Sequence, residues 1–208
     1  MRRVQFYIKD GGRSPVAEFI ASLPSKLKQK VNWTLRIVAD MAIVPTEYLK
    51  KLDGTDQIWE IRVHFGNDAL RLLGFFDGKD LIILTNGFLK KTEKVPQREI
   101  KLSEERKKGL FMEKKKLAID LEDFIAEQKK KDPAFAEGFE EGYLNFKIGV
   151  LLKVAREEAG MTQSQIAKKL KTNKSAISRI ENHAEDIRLS TLQKFAKALG
   201  KTMRVEIA

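Results

Sequence analysis

The sequence predicts an α+β domain, two helices on a small antiparallel sheet, followed by an all-α domain that ends in a short strand. Three observations carry that prediction. Between Gln57 and Phe88, three apolar runs alternate with polar residues across short turns, the pattern of a meander. Ahead of it, Val4, Phe6 and Ile8 mark a first strand and two stretches of helical periodicity follow, which makes the class α+β. From Leu117 onward apolar residues recur mainly at steps of three and four, the helical period.

The first strand closes at the turn pair Gly11–Gly12. Ser14 before Pro15 is a capping serine ahead of a proline at the first helical position, and that short helix stops at Pro24. A second helix runs from Ser25 to about Met41, with Leu27, Val31, Leu35 and Val38 on one side and Lys26, Lys28 and Lys30 expected toward water. In Gln57–Phe65, Trp59, Ile61 and Val63 share one face while Glu60, Arg62 and His64 share the other. Ala69–Phe76 carries Arg71 among leucines, and Asp77–Gly78 turns the chain into Leu81–Phe88. Its first four residues form a continuous apolar run, as an inner strand accepts. Lys101–Gly109 is charged and reads as helix.

Charge points to the partner. The net charge of +11 is spread over both halves: 21 Lys and Arg against 14 Asp and Glu precede Met112, and 19 against 15 follow it. Nucleic acid is the first partner to consider for each half. Zero cysteine excludes disulfide and thiolate chemistry, and two distant histidines, His64 and His183, argue against a histidine-built metal site. No metal and no cofactor are expected. No apolar run approaches the ~20 residues that span a bilayer, so no membrane partner is expected, nor a signal peptide; the expected location is cytoplasmic.

The densest cationic stretch follows the third strand of the meander: Lys90, Lys91, Lys94 and Arg98, with Arg62 and Arg71 on strands expected to be neighbours. Metal-free RNA cleavage needs a base for the ribose 2′-hydroxyl, donors for charge developing on phosphorus, and an acid for the leaving oxygen. Arginine suits the second task because its fork is planar and permanently charged. Lysine serves as a base only when neighbouring cations lower its pKa. Glu60 and His64 are candidates for proton transfer or orientation. Phe88 and Arg98 are auxiliary candidates for RNA binding, with Phe88 more readily a core residue and Arg62 equally able to pair with Glu60.

The runs IWEIR, RLLGFF and ILTNGFLKKTEKVPQREI, within residues 1 to 111, resemble the HigB-type toxins of the RelE superfamily, particularly the phage-related branch with F-x-K-K-x-x-K-x-P after a strand. The resemblance implies metal-independent cleavage of messenger RNA on the ribosome by 2′-hydroxyl attack, with Arg62, Arg71, Lys90, Lys91 and Lys94 at the basic catalytic positions. Where many relatives have a histidine or a further aromatic near the strand end, this chain has Thr85, Asn86 and Gly87, so the acid and base stay open.

Met112-Glu113-Lys114-Lys115-Lys116 reads like the start of an independent chain, joined at Phe111. Residues 112–132 form an amphipathic helix with Leu117, Leu121, Phe124 and Ile125 on its apolar face, a face short enough to need a partner; contact with the first half is expected. Asp132–Pro133 opens a longer helix marked by Phe135, Phe139, Tyr143, Phe146, Val150 and Val154. In Gly160–Asn182, Thr162 with Gln165 makes a capping box, Thr172–Asn173 supplies a turn and the next cap, and Ile177 and Ile180 face a core. This is a helix-turn-helix. Its second helix should present Lys174, Ser175, Ser178 and Arg179 to base edges, with Asn173 at the cap and Gln163 on the backbone. Residues 144 to 200 resemble the Cro/repressor (XRE) class, and residues 133–208 as a whole resemble HigA-type antitoxins. The closing KTMRVEI reads as a strand.

The expectation is a toxin–antitoxin pair in one sequence, in which operator DNA is bound by a dimer formed through the second half. The alternative is a transcriptional regulator whose first half is a non-catalytic dimerisation or ligand-sensing module. A general RNA-binding protein is the third reading, and the salt dependence of its binding would reveal it.

Overall fold

The computed structural model describes residues 1–91, 94–112, 118–182, 184 and 187–205. The chain divides into two compact units, Met1–Glu137 and Gly138–Ala208. The first unit is built in the order β1 (Arg3–Tyr7), α1 (Pro15–Ala21), α2 (Ser25–Asp40), β2 (Leu49–Lys51), β3 (Trp59–Phe65), β4 (Asp68–Phe76), β5 (Leu81–Leu89), α3 (Gln97–Met112), β6 (Ala118–Asp120), α4 (Leu121–Lys131) and α5 (Pro133–Ala136). The second holds α6 (Phe139–Glu158), α7 (Gln163–Lys169), α8 (Lys174–Asn182) and α9 (Leu189–Ala198).

The sheet is six-stranded, in the order β2-β3-β4-β5-β1-β6. The sequence predicts an antiparallel sheet, and the structure corrects this: β1 pairs parallel with β5. A hairpin cannot make such a pair, and the two helices between β1 and the meander supply the crossover. The meander itself is antiparallel, and Gly66, at φ +57°, takes the left-handed turn that joins β3 to β4. Pairing of Trp59 with Gly74, Ile61 with Leu72 and Arg62 with Arg71 sorts side chains onto two faces.

One face takes α1 and α2. Ser14 caps α1 by accepting from the Ala17 N–H, and Val16 and Ile20 are buried beneath it. Phe19 of α1 lies so close to β5 that a Cβ on Gly87 would meet its ring at 2.5 Å and Leu72 at 2.7 Å. Gly87 is therefore a requirement of this packing. The other face takes α3, over a cluster of Ile58, Leu73, Phe75, Ile83 and Leu110. Buried Thr85 and Asn86 fasten that helix: the Thr85 hydroxyl lies 2.7 Å from Ser103 Oγ, Asn86 Nδ2 donates to Glu99, and Arg106 donates to the Thr85 carbonyl. The strand end Thr85-Asn86-Gly87 thus positions helices on both faces of the sheet.

Residues 118–137 fold with the first unit. β6 adds to the edge of β1, and α4 and α5 lie on the α2 side of the sheet. Leu121, Phe124 and Ile125 are buried there, with Phe124 edge-on to Phe6 at 5.2 Å; Leu117 falls outside the described residues. Polar clamps surround that apolar patch. Arg36 binds Glu122 through two hydrogen bonds, Arg3 pairs with Asp120, and Gln29 donates to the carbonyls of Phe135 and Glu137. Lys28, expected to face water, is buried against Asp132, with Nζ at 2.9 Å from the carboxylate. Asp132 also accepts from Ser25 and caps α5, and these bonds hold its pKa below the ordinary value.

Two further expectations change. The long helix from Pro133 is broken: α5 ends at Ala136, Gly138 turns left-handed at φ 61°, and α6 begins at Phe139. The boundary between units accordingly lies at Glu137/Gly138 and not at Pro133. The closing strand is absent from the described residues, since Lys201–Val205 carry no strand and residues 206–208 lie outside them. Among the described residues no helix is long and apolar enough to cross a membrane.

Replacing Phe124 by alanine should cost about 3–5 kcal/mol of stability in the first unit, read as a lower urea midpoint for its transition. An unchanged midpoint would mean that α4 contributes nothing to the core of that unit.

Candidate functional site

On the face that carries α3, the register sets Arg62 directly opposite Arg71, and Arg71 opposite Phe88. Two residues before Arg62 stands Glu60, only 1% exposed. Its Oε2 accepts from Arg62 Nε at 2.6 Å, while Oε1 faces Arg71 Nε at 2.7 Å as an ion pair off the angle of a well-aligned hydrogen bond. One carboxylate therefore holds both guanidiniums. Arg71 is buried and further fixed by donation to the Leu70 carbonyl; Arg62 is a quarter exposed, so its fork reaches solvent. Burial lowers the Arg71 pKa and Glu60 opposes that shift. A buried carboxylate left with fewer cations would carry a large desolvation cost, which is why the sheet tolerates two arginines side by side.

His64 stands at the end of the same row. Its pKa is lowered from the ordinary 6.5, first by partial desolvation, then by the cations of Arg71, Lys90 and Arg62, with Glu47 acting in the opposite sense. These influences favour the neutral imidazole, whose unprotonated nitrogen is an acceptor. Lys90 follows β5 directly, its N–H bonded to the Ala69 carbonyl at 2.7 Å. The structure thus brings Glu60, Arg62, His64, Arg71 and Lys90 together. Lys91 and Lys94 are exposed beyond the strand. Arg98 is exposed on α3, paired with Glu99 at 3.2 Å. Phe88 is half-buried and packs on the cluster under α3, as a core residue does. Sequence reasoning missed Glu47. Its position follows from the pairing of β2 with β3, and a three-residue strand leaves no periodic signal.

Of residues 118–137, β6 lies at the edge of the sheet away from β3, and α4 and α5 lie on the face opposite Glu60, Arg62 and Arg71. Within the first unit they leave that cationic row open. Among the described residues no group of three or more His, Asp or Glu side chains is arranged to hold a metal ion.

The second unit has its own buried carboxylate. Glu181 is fully buried and accepts from Arg156 at 2.5 and 2.9 Å, and Arg156 also donates to the Met161 carbonyl. Gln163, expected on the DNA backbone, instead donates its Nε2 to Glu181 at 3.0 Å. Gly149 allows α6 to touch α8, since a Cβ there would meet the Glu181 carbonyl at 2.5 Å. Below this, Ile166, Ala167, Ile177 and Phe195 form the core. The Thr162–Gln165 capping box is formed, and Asn173 caps α8 by accepting from Ala176. With Ile177 and Glu181 buried, the opposite side of α8 presents Lys174, Ser175 and Arg179 exposed and Ser178 partly exposed.

Residues 152–205 match the family model described as Helix-turn-helix, and residues 18–108 match that of the Phage derived protein Gp49-like family. The chain carries a Gp49-like domain and a helix-turn-helix domain. Over 89 residues it is also 30% identical to the protein named Antitoxin HigA1 in two strains of Mycobacterium tuberculosis, CDC 1551 / Oshkosh and ATCC 25618 / H37Rv. That similarity covers 43% of this chain and spans 60% of the length of those relatives. The Glu60 row lies inside the Gp49-like domain, and α7 and α8 lie inside the helix-turn-helix domain.

Proposed function

We propose that the chain is a toxin–antitoxin pair: the Gp49-like domain cleaves messenger RNA on the ribosome in the cytoplasm, and the helix-turn-helix domain binds operator DNA and represses its own transcription. The observation that carries the first part is the row of Glu60, Arg62, Arg71, His64 and Lys90. A neutral imidazole flanked by fixed cations is suited to take the 2′-hydroxyl proton of an RNA whose phosphate is held by the guanidiniums. In this reading the 2′-oxygen attacks phosphorus as His64 receives its proton. Arg62 and Arg71 stabilise the charge on the non-bridging oxygens, and the bond to the 5′-oxygen breaks as Lys90 donates a proton to it. The products are a 2′,3′-cyclic phosphate and a 5′-hydroxyl. Lys91 and Lys94 extend the positive surface along the RNA backbone.

The antitoxin role rests on the likeness to Antitoxin HigA1 and on residues 118–137, which join the two domains. Because Leu121, Phe124 and Ile125 anchor on the face away from the cationic row, this segment tethers the DNA-binding domain and does not plug the site. Lys174, Ser175, Ser178 and Arg179 read bases in the major groove, Asn173 sets the helix start, and a dimer matches a two-fold operator.

The test is expression of residues 1–137 beside the full chain, with RNA ends mapped. Cut ends bearing 2′,3′-cyclic phosphates are expected from the shorter protein and fewer from the full chain. No cut ends from either, with ribosomes present, would favour a regulator with a non-catalytic first domain. Because His64 works in its neutral form, the rate should fall only as pH drops through a value below the ordinary ~6.5, and His64→Gln should remove that acid limb with about a hundredfold loss. An acid limb at or above pH 6.5 would exclude His64 as the base. Arg179→Ala should cost operator binding about 1–3 kcal/mol and relax one base position; equal loss on every DNA sequence would mark it as a phosphate contact.

A further inference from the structure

Aromatic rings and cations also meet away from the Glu60 row. At the end of the sheet where β3 begins, Trp59, Phe76, Val44, Leu49, Arg2 and Lys79 line most of an open groove of about 480 Å³. Its floor is apolar. Trp59 and Phe76 are half-buried with ring centroids 5.0 Å apart at 70°, an edge-to-face contact that fixes the indole plane. The charges along it are all positive, with no carboxylate among the lining residues. Arg2 donates to the carbonyls of Val38, Met41 and Ala42 and so fixes one wall, while Lys79 is exposed at the rim. A fixed aromatic plane beside a cation suits a flat apolar ring that carries an anion.

We infer that this groove holds a nucleobase of single-stranded RNA, stacked on Trp59 with its phosphate toward Lys79. The inference rests on the reading of the Glu60 row as an RNA site and adds a second contact for the same strand. Trp59 and Arg62 are three residues apart on β3, roughly 10 Å along the strand, on opposite faces. The edge between them is narrow: β2 spans three residues, and the loop that walls the groove places the Tyr48 carbonyl on the Arg62 N–H at 2.8 Å. An RNA strand passing round that edge reaches both sites.

The chain has two tryptophans, Trp33 and Trp59, so Trp33→Phe in the full chain leaves Trp59 as the one emitter. Titration with a short oligouridylate should quench its emission saturably, at lower concentration than uridine monophosphate. Inorganic polyphosphate, which has no base, should not quench it. Trp59→Leu should weaken oligouridylate binding about fivefold or more, Trp59→Phe should retain most of it, and Lys79→Glu, at an exposed position, should weaken it without changing the fold. Absence of saturable quenching, equal quenching by polyphosphate, or a Lys79→Glu protein that binds like the parent would each overturn the inference. Quenching by the mononucleotide alone would overturn the RNA occupant in favour of a free nucleotide. RNA ends mapped with residues 1–137, the compact first unit, separate the two claims: cleavage without quenching removes the groove alone, and quenching without cleavage removes the nuclease alone.

Discussion

A carboxylate sunk into a sheet must be answered by cations, and Glu60 is answered by two. Its side chain cannot reach water, so Arg62 and Arg71 are drawn together on adjacent strands although like charges repel. That constraint gives the first unit its chemical character. The arginines are held by one carboxylate, their positions are set by strand register, and the net charge around His64 and Lys90 stays positive. On the proposed reading, a row already fixed would cost little further reorganisation on binding a phosphate, as preorganised donors do in phosphoryl chemistry.

The second unit solves a related problem with the same pair of groups. Glu181 is buried at the end of α8 and is met by the fork of Arg156 from α6 and the amide of Gln163 from α7. Three helices are thereby tied at one polar point, while Ile166, Ile177 and Phe195 supply the apolar packing. Both units thus hold outward-facing polar side chains in place with a buried acid. In the first, the cations are themselves the surface; in the second, they brace the helix whose other side faces outward.

Much of this was legible in the sequence where periodicity carried it. The alternation in β3 separated Glu60, Arg62 and His64 from Trp59, Ile61 and Val63, and register then placed Arg71 beside Arg62. The capping box, the Asn173 cap and the buried face of α8 were equally readable, since helix signals are local. The rest was not, for physical reasons. β2 and β6 are three residues long and leave no pattern. The parallel pairing of β1 depends on a crossover, and Lys28 is buried because a segment about a hundred residues later supplies Asp132. Gly138 broke a helix that its apolar spacing suggested was continuous. Gln163 looked like a backbone contact because nothing local reveals that Glu181 lies beside it.

Covalent continuity between the domains places a load on residues 118–137, which complete the sheet of the first unit and lead directly into the second. Their docking mixes an apolar patch around Phe124 with ion pairs at Asp120, Glu122 and Asp132. The central claim, however, concerns the other face: that Glu60 positions Arg62 and Arg71 for phosphate. Glu60→Gln, compared with the parent in steady-state RNA cleavage by residues 1–137, tests it most directly. The account predicts kcat lowered about tenfold or more, roughly 1.4 kcal/mol of transition-state stabilisation, with KM no higher and the fold intact. An unchanged kcat in a folded protein would contradict it.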